Sequence, residues 1–244
     1  MTARNPIIVA LDVDSPVKAL ALADQLRGAV GAVKVGSQLF TAAGPDIVRR
    51  LTERGHKVFL DLKYHDIPNT VAGAAAEAAK LGAWMIDVHA SGGLAMMKAA
   101  CESARASAEA AGVTPPLVIA ITVLTSFDQN TIESVGIQRP IVDQGDALSW
   151  LAQQAGLDGV VASPHEVARL RLARGNRFVL VTPGIRAFTP DEAGKRDDQA
   201  RTMTAGAAIT AGASFIVVGR PIIAAPDPLA AAEALAKSLD SPVR

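Results

Sequence analysis

An acid, a base and a second acid follow one another closely in the 244-residue chain. Asp61 and Lys63 come directly after the apolar residues 58–60, and Asp66 follows just past the end of that predicted strand. On an extended strand Asp61 and Lys63 point to the same face, because side chains alternate between the two faces. A lone Asp-x-Lys pair also fits a structural salt bridge. Since buried charges cost free energy unless they are paired, the additional Asp66 favours a functional site.

Two further charged residues belong to the same pattern. Asp12 ends the first predicted strand, residues 7–11, and Lys34 lies near the end of the second, residues 32–36. Acids and bases on adjacent strand ends can share one hydrogen-bonded network. A lysine between carboxylates stays protonated, because opposite charges favour its charged form. Such an ammonium suits proton donation to a developing carbanion, whereas a Schiff-base lysine must be neutral.

The elements that would position these residues alternate regularly along the chain. Eight short apolar runs are separated by Ala-rich helical segments, which predicts a parallel sheet covered by helices. Eight such units in one chain indicate a (β/α)8 TIM barrel, as a single domain over residues 1–244. The alternative is an open doubly wound sheet. A Gly-x-Gly-x-x-Gly fingerprint after the first strand is typical of that fold, and this chain lacks it. The other predicted strands span residues 58 onward, 84–89, 117–124, 159–162, 178–182 and 215–218.

A possible phosphate site follows the last two predicted strands. Pro183-Gly184-Ile185-Arg186 comes after the seventh strand and Gly219-Arg220 after the eighth. In such barrels these two loops commonly hold a phosphate group, and arginine adds bidentate recognition. A tight-turn glycine and an arginine on a solvated rim are the alternative. The polar, breaker-rich residues 187–198 predict a mobile loop beside this site, and a helix is predicted for about 200–211.

Composition excludes several classes of protein. Lys and Arg number 24, as do Asp and Glu, and no basic run occurs, so nucleic acid is not an expected partner. Cys101 is the only cysteine, which excludes an intrachain disulfide and a cysteine metal site. The first residues lack the apolar core of a signal peptide, and no apolar run reaches membrane-spanning length. We therefore expect a soluble, cytoplasmic protein with no membrane partner.

These motifs together resemble the orotidine 5′-phosphate decarboxylase family, in its compact bacterial form. The most specific block is Asp61-x-Lys63-x-x-Asp66-Ile67-Pro68-Asn69-Thr70, and the resemblance runs from the first strand to the eighth. It implies decarboxylation of orotidine 5′-phosphate to uridine 5′-phosphate and CO2 in pyrimidine biosynthesis. It also implies a reaction without metal or other cofactor, and a homodimer with shared active sites. The other matching motifs are Ala10-Leu11-Asp12, Lys34-Val35-Gly36, Pro183-Gly184-Ile185-Arg186, Asp198-Gln199 and Val218-Gly219-Arg220.

The resemblance assigns a role to each matching position. Lys63 would protonate C6 of the pyrimidine, Asp61 would lie beside the substrate carboxylate, and Lys34 would complete the network. Asp66 would reach this network from the neighbouring subunit. Residues 187–198 match the closing loop. The other substrate-binding positions are Asp12 and Thr70 at the ribose, Thr125 and Ser126 at the pyrimidine, and Arg186, Gln199, Gly219 and Arg220 at the phosphate. Thr70 would again come from the neighbour, and Ile67 and Pro183 are further substrate-binding positions.

Two other functions fit parts of the pattern. Magnesium-dependent sugar-phosphate decarboxylases and aldolases of the same superfamily share Asp-x-Lys-x-x-Asp, but they need a carboxylate where this chain has Lys34. An ammonium there repels a divalent cation and offers it no lone pair. A non-catalytic nucleotide- or phosphate-binding barrel needs the phosphate loops but not the charged set. By itself, Thr125-Ser126 also fits a helix cap, and His89 fits a structural histidine without a role.

Overall fold

A closed barrel of eight parallel strands forms the centre of the computed structural model, which describes residues 5–186 and 202–240. Around the ring the strand order is β1-β10-β7-β6-β5-β4-β3-β2, so the first and last barrel strands are neighbours. Helices follow the strands and cover the outside, which confirms the predicted (β/α)8 barrel. The barrel strands are β1 Ile7–Ala10, β2 Ala32–Gly36, β3 Val58–Tyr64, β4 Met85–His89, β5 Leu117–Ile121, β6 Gly159–Val161, β7 Val179–Thr182 and β10 Phe215–Val218.

Helix boundaries coincide with local start signals. Ser15 caps the first helix by accepting the Lys18 N–H at 3.5 Å, and Pro16 follows as its first residue. Pro68 likewise opens the helix after β3. The helices are α1 Pro16–Gln25, α2 Ser37–Ala43, α3 Asp46–Glu53, α4 Pro68–Lys80, α5 Gly93–Ala110, α6 Gln129–Ser134, α7 Ile141–Gln154, α8 Val167–Arg174, α9 Ala205–Thr210, α10 Arg220–Ile223 and α11 Pro228–Asp240.

The barrel interior is filled with bulky apolar side chains. Trp84 meets Phe215 edge-on, with ring centroids 5.2 Å apart. Because side chains alternate along a strand, residue 61 follows Phe59 on the same face of β3, toward its carboxyl end. The charged residues near the carboxyl ends of β1 to β3 therefore lie above a layer of apolar side chains, the apolar floor of the site. That floor is built from Ile8, Ala32, Phe59, Met85, Ile119, Val181 and Phe215.

Three local features differ from the expectations. The short helix α2 follows β2 directly and ends at Gly44, whose φ of 67° suits glycine. The helix predicted for residues 200–211 begins only at Ala205, because Thr204 caps it. Before it, β9 (Met203–Thr204) pairs in parallel with β8 (Ile185–Arg186) as a separate two-stranded sheet. The predicted loop 187–198 lies outside the described residues. None of the described helices is long and apolar enough to cross a membrane.

Candidate active site

Asp61 is the centre of a charged cluster at the carboxyl ends of β1, β2 and β3. Its Oδ2 lies 3.2 Å from the Lys34 ammonium, and its Oδ1 contacts the ammonium of Lys63. Lys34 also lies 3.5 Å from Asp12 Oδ1. The structure therefore brings Asp12, Lys34, Asp61 and Lys63 into one continuous set of acids and bases.

Burial divides this set into a deep pair and an open pair. The side chains of Lys34 and Asp61 are each 11% exposed. Those of Lys63 and Asp12 are 38% and 54% exposed and reach the open end of the barrel. A ligand entering from solvent therefore meets Lys63 and Asp12 first, while Lys34 and Asp61 hold the charges behind them.

Opposite charges keep the deep pair ionised despite its burial. Burial alone lowers the pKa of Lys34, but the attraction of Asp61 and then Asp12 outweighs it and raises that pKa. Burial alone raises the pKa of Asp61, yet the charge of Lys34, an interaction with the Asp87 carboxyl and then Lys63 hold that pKa well below its usual range. A carboxylate fixed in its charged form is thus placed beside a lysine that faces solvent.

Lys63 occupies an irregular part of β3 and not a regular strand position. Its φ of 53° is the only positive value of a non-glycine residue in the described part of the chain. Between Leu60 and Tyr64 the pairing of β3 with β4 shifts register. Asp61 and Lys63 do meet, but the expected reason, a regular pleat, is wrong: a bulge redirects the backbone between them.

The proposed phosphate side adjoins Asp12. Gly219 follows β10 directly and is the N-cap residue of α10, and a Cβ built on it would lie 3.6 Å from Asp12 Oδ2. Arg220 is exposed at the first position of α10, and Pro183 is half-buried after β7. Arg186 lies in β8, close in sequence to Gly184. Gln199 lies outside the described residues.

Asp66, Ile67 and Thr70 make no polar contact with the charged cluster of their own chain among the described residues. All three are exposed, and Ile67 is 67% exposed although it is apolar. Asp66 accepts the Ile67 N–H at 2.6 Å. It makes no ion pair with any residue in 5–186 or 202–240. The structure thus does not bring Asp66 to Lys34 or Lys63 within one chain.

Thr125 and Ser126 lie in a turn between β5 and α6, with Thr125 half-buried and Ser126 exposed. Neither caps α6. Asp128 does so, because its carboxylate accepts the Thr131 N–H at 2.8 Å. The helix-cap alternative for Thr125-Ser126 is therefore wrong.

Asp87 and a histidine pair also line this end of the barrel. Asp87 is 0% exposed on β4 and accepts the Lys63 N–H at 2.8 Å. Asp87 was not predicted from the sequence. An acid inside the apolar run Met85–Val88 was the available signal. His89 stacks on His65 with ring centroids 5.2 Å apart. Burial, then the charges of His65 and Lys63, lower the pKa of His89.

A (β/α)8 barrel with an acid–base set at its carboxyl end defines an enzyme with its active site at the barrel mouth. A model of the orotidine 5′-phosphate decarboxylase / HUMPS family matches residues 5–235, and the chain belongs to this family. This confirms the resemblance stated from the motifs and, with it, the predicted class of enzyme, a carboxy-lyase.

Relatives and solved structures agree with this assignment over nearly the whole chain. An orotidine 5′-phosphate decarboxylase of Syntrophotalea carbinolica is 51% identical over 237 residues, covering 97% of this chain and 96% of the relative. One of Moorella thermoacetica is 50% identical over 241 residues, covering 98% and 94%. The crystal structure of orotidine 5′-phosphate decarboxylase from Lactobacillus acidophilus superposes with a TM-score of 0.84 at 40% identity. It covers 97% of this chain and 100% of that structure.

Proposed function

We propose that the chain decarboxylates orotidine 5′-phosphate to uridine 5′-phosphate and CO2, as a step of pyrimidine biosynthesis, without a metal or other cofactor. Family membership supports the reaction. The observation that supports the mechanism is the pair of contacts to Asp61, whose two carboxylate oxygens each meet a lysine ammonium. These contacts leave Asp61 ionised and place an ammonium donor on its solvent-facing side.

In the proposed reaction the bond between C6 and the carboxylate carbon breaks. The electron pair stays on C6, CO2 leaves, and the Lys63 ammonium gives its proton to C6. Asp61 would lie beside the substrate carboxylate, so that two negative charges repel each other until CO2 departs. Such repulsion, offset by binding energy from remote parts of the substrate, raises the rate because it is relieved in the transition state.

The remote parts of the substrate would bind along a line from Asp12 to Arg220. Asp12 contacts Lys34 on one side and approaches Gly219 on the other, which fits a ribose between the pyrimidine and the phosphate. The phosphate would then lie against the loops after β7 and β10, with Arg220, Arg186 and Gln199 as its side-chain partners. Ile67, Thr125, Ser126 and Pro183 complete the proposed substrate site.

The proposed homodimer completes each site with Asp66 and Thr70 of the neighbouring chain. Their exposure, and that of the apolar Ile67 beside them, supports this arrangement. In an isologous interface the same surface is used twice, so one pair of contacts would complete both sites.

The proposed function is tested with purified protein and orotidine 5′-phosphate after exhaustive chelation. We expect the absorbance of the substrate to fall with release of CO2, and we expect added Mg²⁺ to leave the rate unchanged. A rate that vanishes on chelation and returns with Mg²⁺ would favour the metal-dependent alternative. Binding of the nucleotide without turnover would favour the non-catalytic phosphate-binding barrel.

Arg220→Ala should separate phosphate binding from chemistry. We expect kcat/KM for orotidine 5′-phosphate to fall by about 10²-fold, because hydrogen bonds to charged groups contribute up to about 3 kcal/mol and tenfold corresponds to about 1.4 kcal/mol. Turnover of orotidine, which lacks the phosphate, should barely change. Arg50→Ala, which removes a half-exposed arginine of α3, is the matched control. Equal losses with both substrates would show that Arg220 does not bind the phosphate.

Two further proposals concern the whole chain. We propose that residues 1–244 form one domain, since the family match spans residues 5–235. The cytoplasmic location stays a prediction. The magnesium-dependent alternative is disfavoured by the site chemistry, because Lys34 contacts both Asp12 and Asp61 at the place where a metal would need a carboxylate.

A further inference from the structure

Asp87 is a completely buried acid in the middle of β4. It lies two residues after Met85, whose side chain is part of the apolar floor inside the barrel, so Asp87 faces the interior just above that floor. Titratable groups face it from β3, namely Asp61, Lys63 and Tyr64. On β5 its register partner is the apolar Ile119.

One oxygen of Asp87 accepts a hydrogen bond from the backbone of the bulge that contains Lys63. In the register of β3 with β4, Leu60 pairs with Ile86 and Tyr64 with Val88, so Asp61, Leu62 and Lys63 lie opposite Asp87 alone. The Lys63 N–H, which has lost a regular ladder partner there, donates to Asp87 Oδ1 at 2.8 Å. A lysine at a φ of 53° is strained and persists only where its surroundings hold it.

The carboxyl groups of Asp87 and Asp61 are neighbours, since each acts on the pKa of the other. Two neighbouring carboxyl groups can share a hydrogen bond only when one of them carries a proton to donate. Burial and then the negative charge of Asp61 raise the pKa of Asp87 well above its usual range, whereas Asp61 is held ionised by Lys34. No donor among the described residues reaches Asp87 Oδ2. The buried Oδ2 of Asp87 is therefore the oxygen available to carry such a proton.

We propose that Asp87 is a positioning residue that acts in its neutral form. One of its oxygens fixes the backbone of Lys63, and its carboxyl proton is donated to Asp61. Asp87 thus sets where the Lys63 ammonium points and how the Asp61 carboxylate is oriented toward it. The consequence for turnover rests on the proposed role of Lys63 as proton donor, whereas the protonation state of Asp87 does not.

Two variants of similar size separate the hydrogen bonds from the packing. Asp87→Asn keeps an oxygen acceptor for the Lys63 N–H and an N–H donor for Asp61, so we expect kcat close to that of the wild type. Asp87→Leu keeps neither, and we expect kcat to fall by about 10²-fold, the cost of slightly misplaced catalytic groups. KM should change little. A folded Leu variant with wild-type kcat, or an Asn variant as impaired as the Leu variant, would overturn the proposal.

A measurement without substrate keeps the test decisive if the Leu variant does not fold. The infrared spectrum of the wild type at neutral pH should contain the carbonyl-stretch band of a protonated carboxyl group, and Asp87→Asn should lack it. Absence of this band in the wild type would overturn the neutral form of Asp87. Failure of the proposed function would instead appear as a wild type that does not turn over orotidine 5′-phosphate, so the two failures are distinguishable.

Thermal unfolding gives a second substrate-free measurement with a defined sign. A carboxyl whose pKa is raised by folding contributes stability below its unfolded pKa, about 3.9, and loses it as pH rises toward the folded value. Asn cannot titrate. The Tm of Asp87→Asn relative to the wild type should therefore increase as pH rises above about 4. A difference in Tm that is independent of pH would contradict a neutral Asp87 in the folded protein.

Discussion

Lys63→Ala is expected to abolish nearly all turnover while the protein stays folded. General acid catalysis contributes roughly 10²–10⁴-fold, and loss of the ammonium also removes one of the two cations that contact Asp61. The side chain is 38% exposed and ends at the mouth of the barrel, so its truncation leaves no buried cavity. The measurement is kcat with orotidine 5′-phosphate, together with binding of uridine 5′-phosphate, which should persist.

Lys80→Ala provides the matched control for this variant. Lys80 is an exposed lysine in the last turn of α4, paired with Glu77 at 2.7 Å, and its removal should leave kcat unchanged. Near-normal turnover by Lys63→Ala would show that another group supplies the proton. In that case the proposed reaction would need a different proton donor near Asp61, and the assignments that depend on Lys63 would be wrong.

Mixing two inactive variants should restore activity if the active site is shared between subunits. Asp66 is exposed and makes no ion pair with the described residues of its own chain, whereas Lys63 contacts Asp61 of the same chain. In a dimer of one Lys63→Ala chain and one Asp66→Ala chain, one site lacks both residues and the other lacks neither. With random pairing about half the dimers are mixed, so about a quarter of all sites should be intact.

The two variants are unfolded and refolded together, and the formation of mixed dimers is verified by a mass tag on one chain. Lys63→Ala mixed with Lys34→Ala is the control, since both residues contact Asp61 of their own chain and no mixed dimer then contains an intact site. Mixed dimers of the first pair that stay as inactive as their parents would show that Asp66 serves its own subunit.

The barrel and the members of its charged cluster were predictable because their signals are local. Apolar runs such as residues 215–218 stand between turn residues, and their number and alternation with helices indicate the fold. Asp12, Lys34 and Asp61 could be placed together because the carboxyl ends of parallel strands meet at one end of a barrel. The family resemblance rested on motifs from the first strand to the eighth, of which the spacing from Asp61 to Thr70 is the most specific.

What could not be predicted depends on contacts between distant residues. The left-handed φ of Lys63 arises from the bulge against β4 and the hydrogen bond to Asp87, which lies 24 positions later in the chain. The small sheet of β8 and β9 joins segments that are separated in the sequence by residues 187–202. The helix α2 is only seven residues long, too short for helical periodicity to appear in the sequence.

The ring of strands closes where β1 pairs with β10, with Ile7 opposite Ile216. During synthesis on the ribosome, β1 therefore lacks its second pairing partner, β10, until nearly the whole chain has been made. Pairing between segments so far apart in sequence is slow, and an open strand edge exposes backbone groups to other chains in the meantime. The same closure brings Gly219 next to Asp12. Completion of the barrel and assembly of the proposed phosphate side of the site thus occur together, and a nascent chain that ends before β10 has neither.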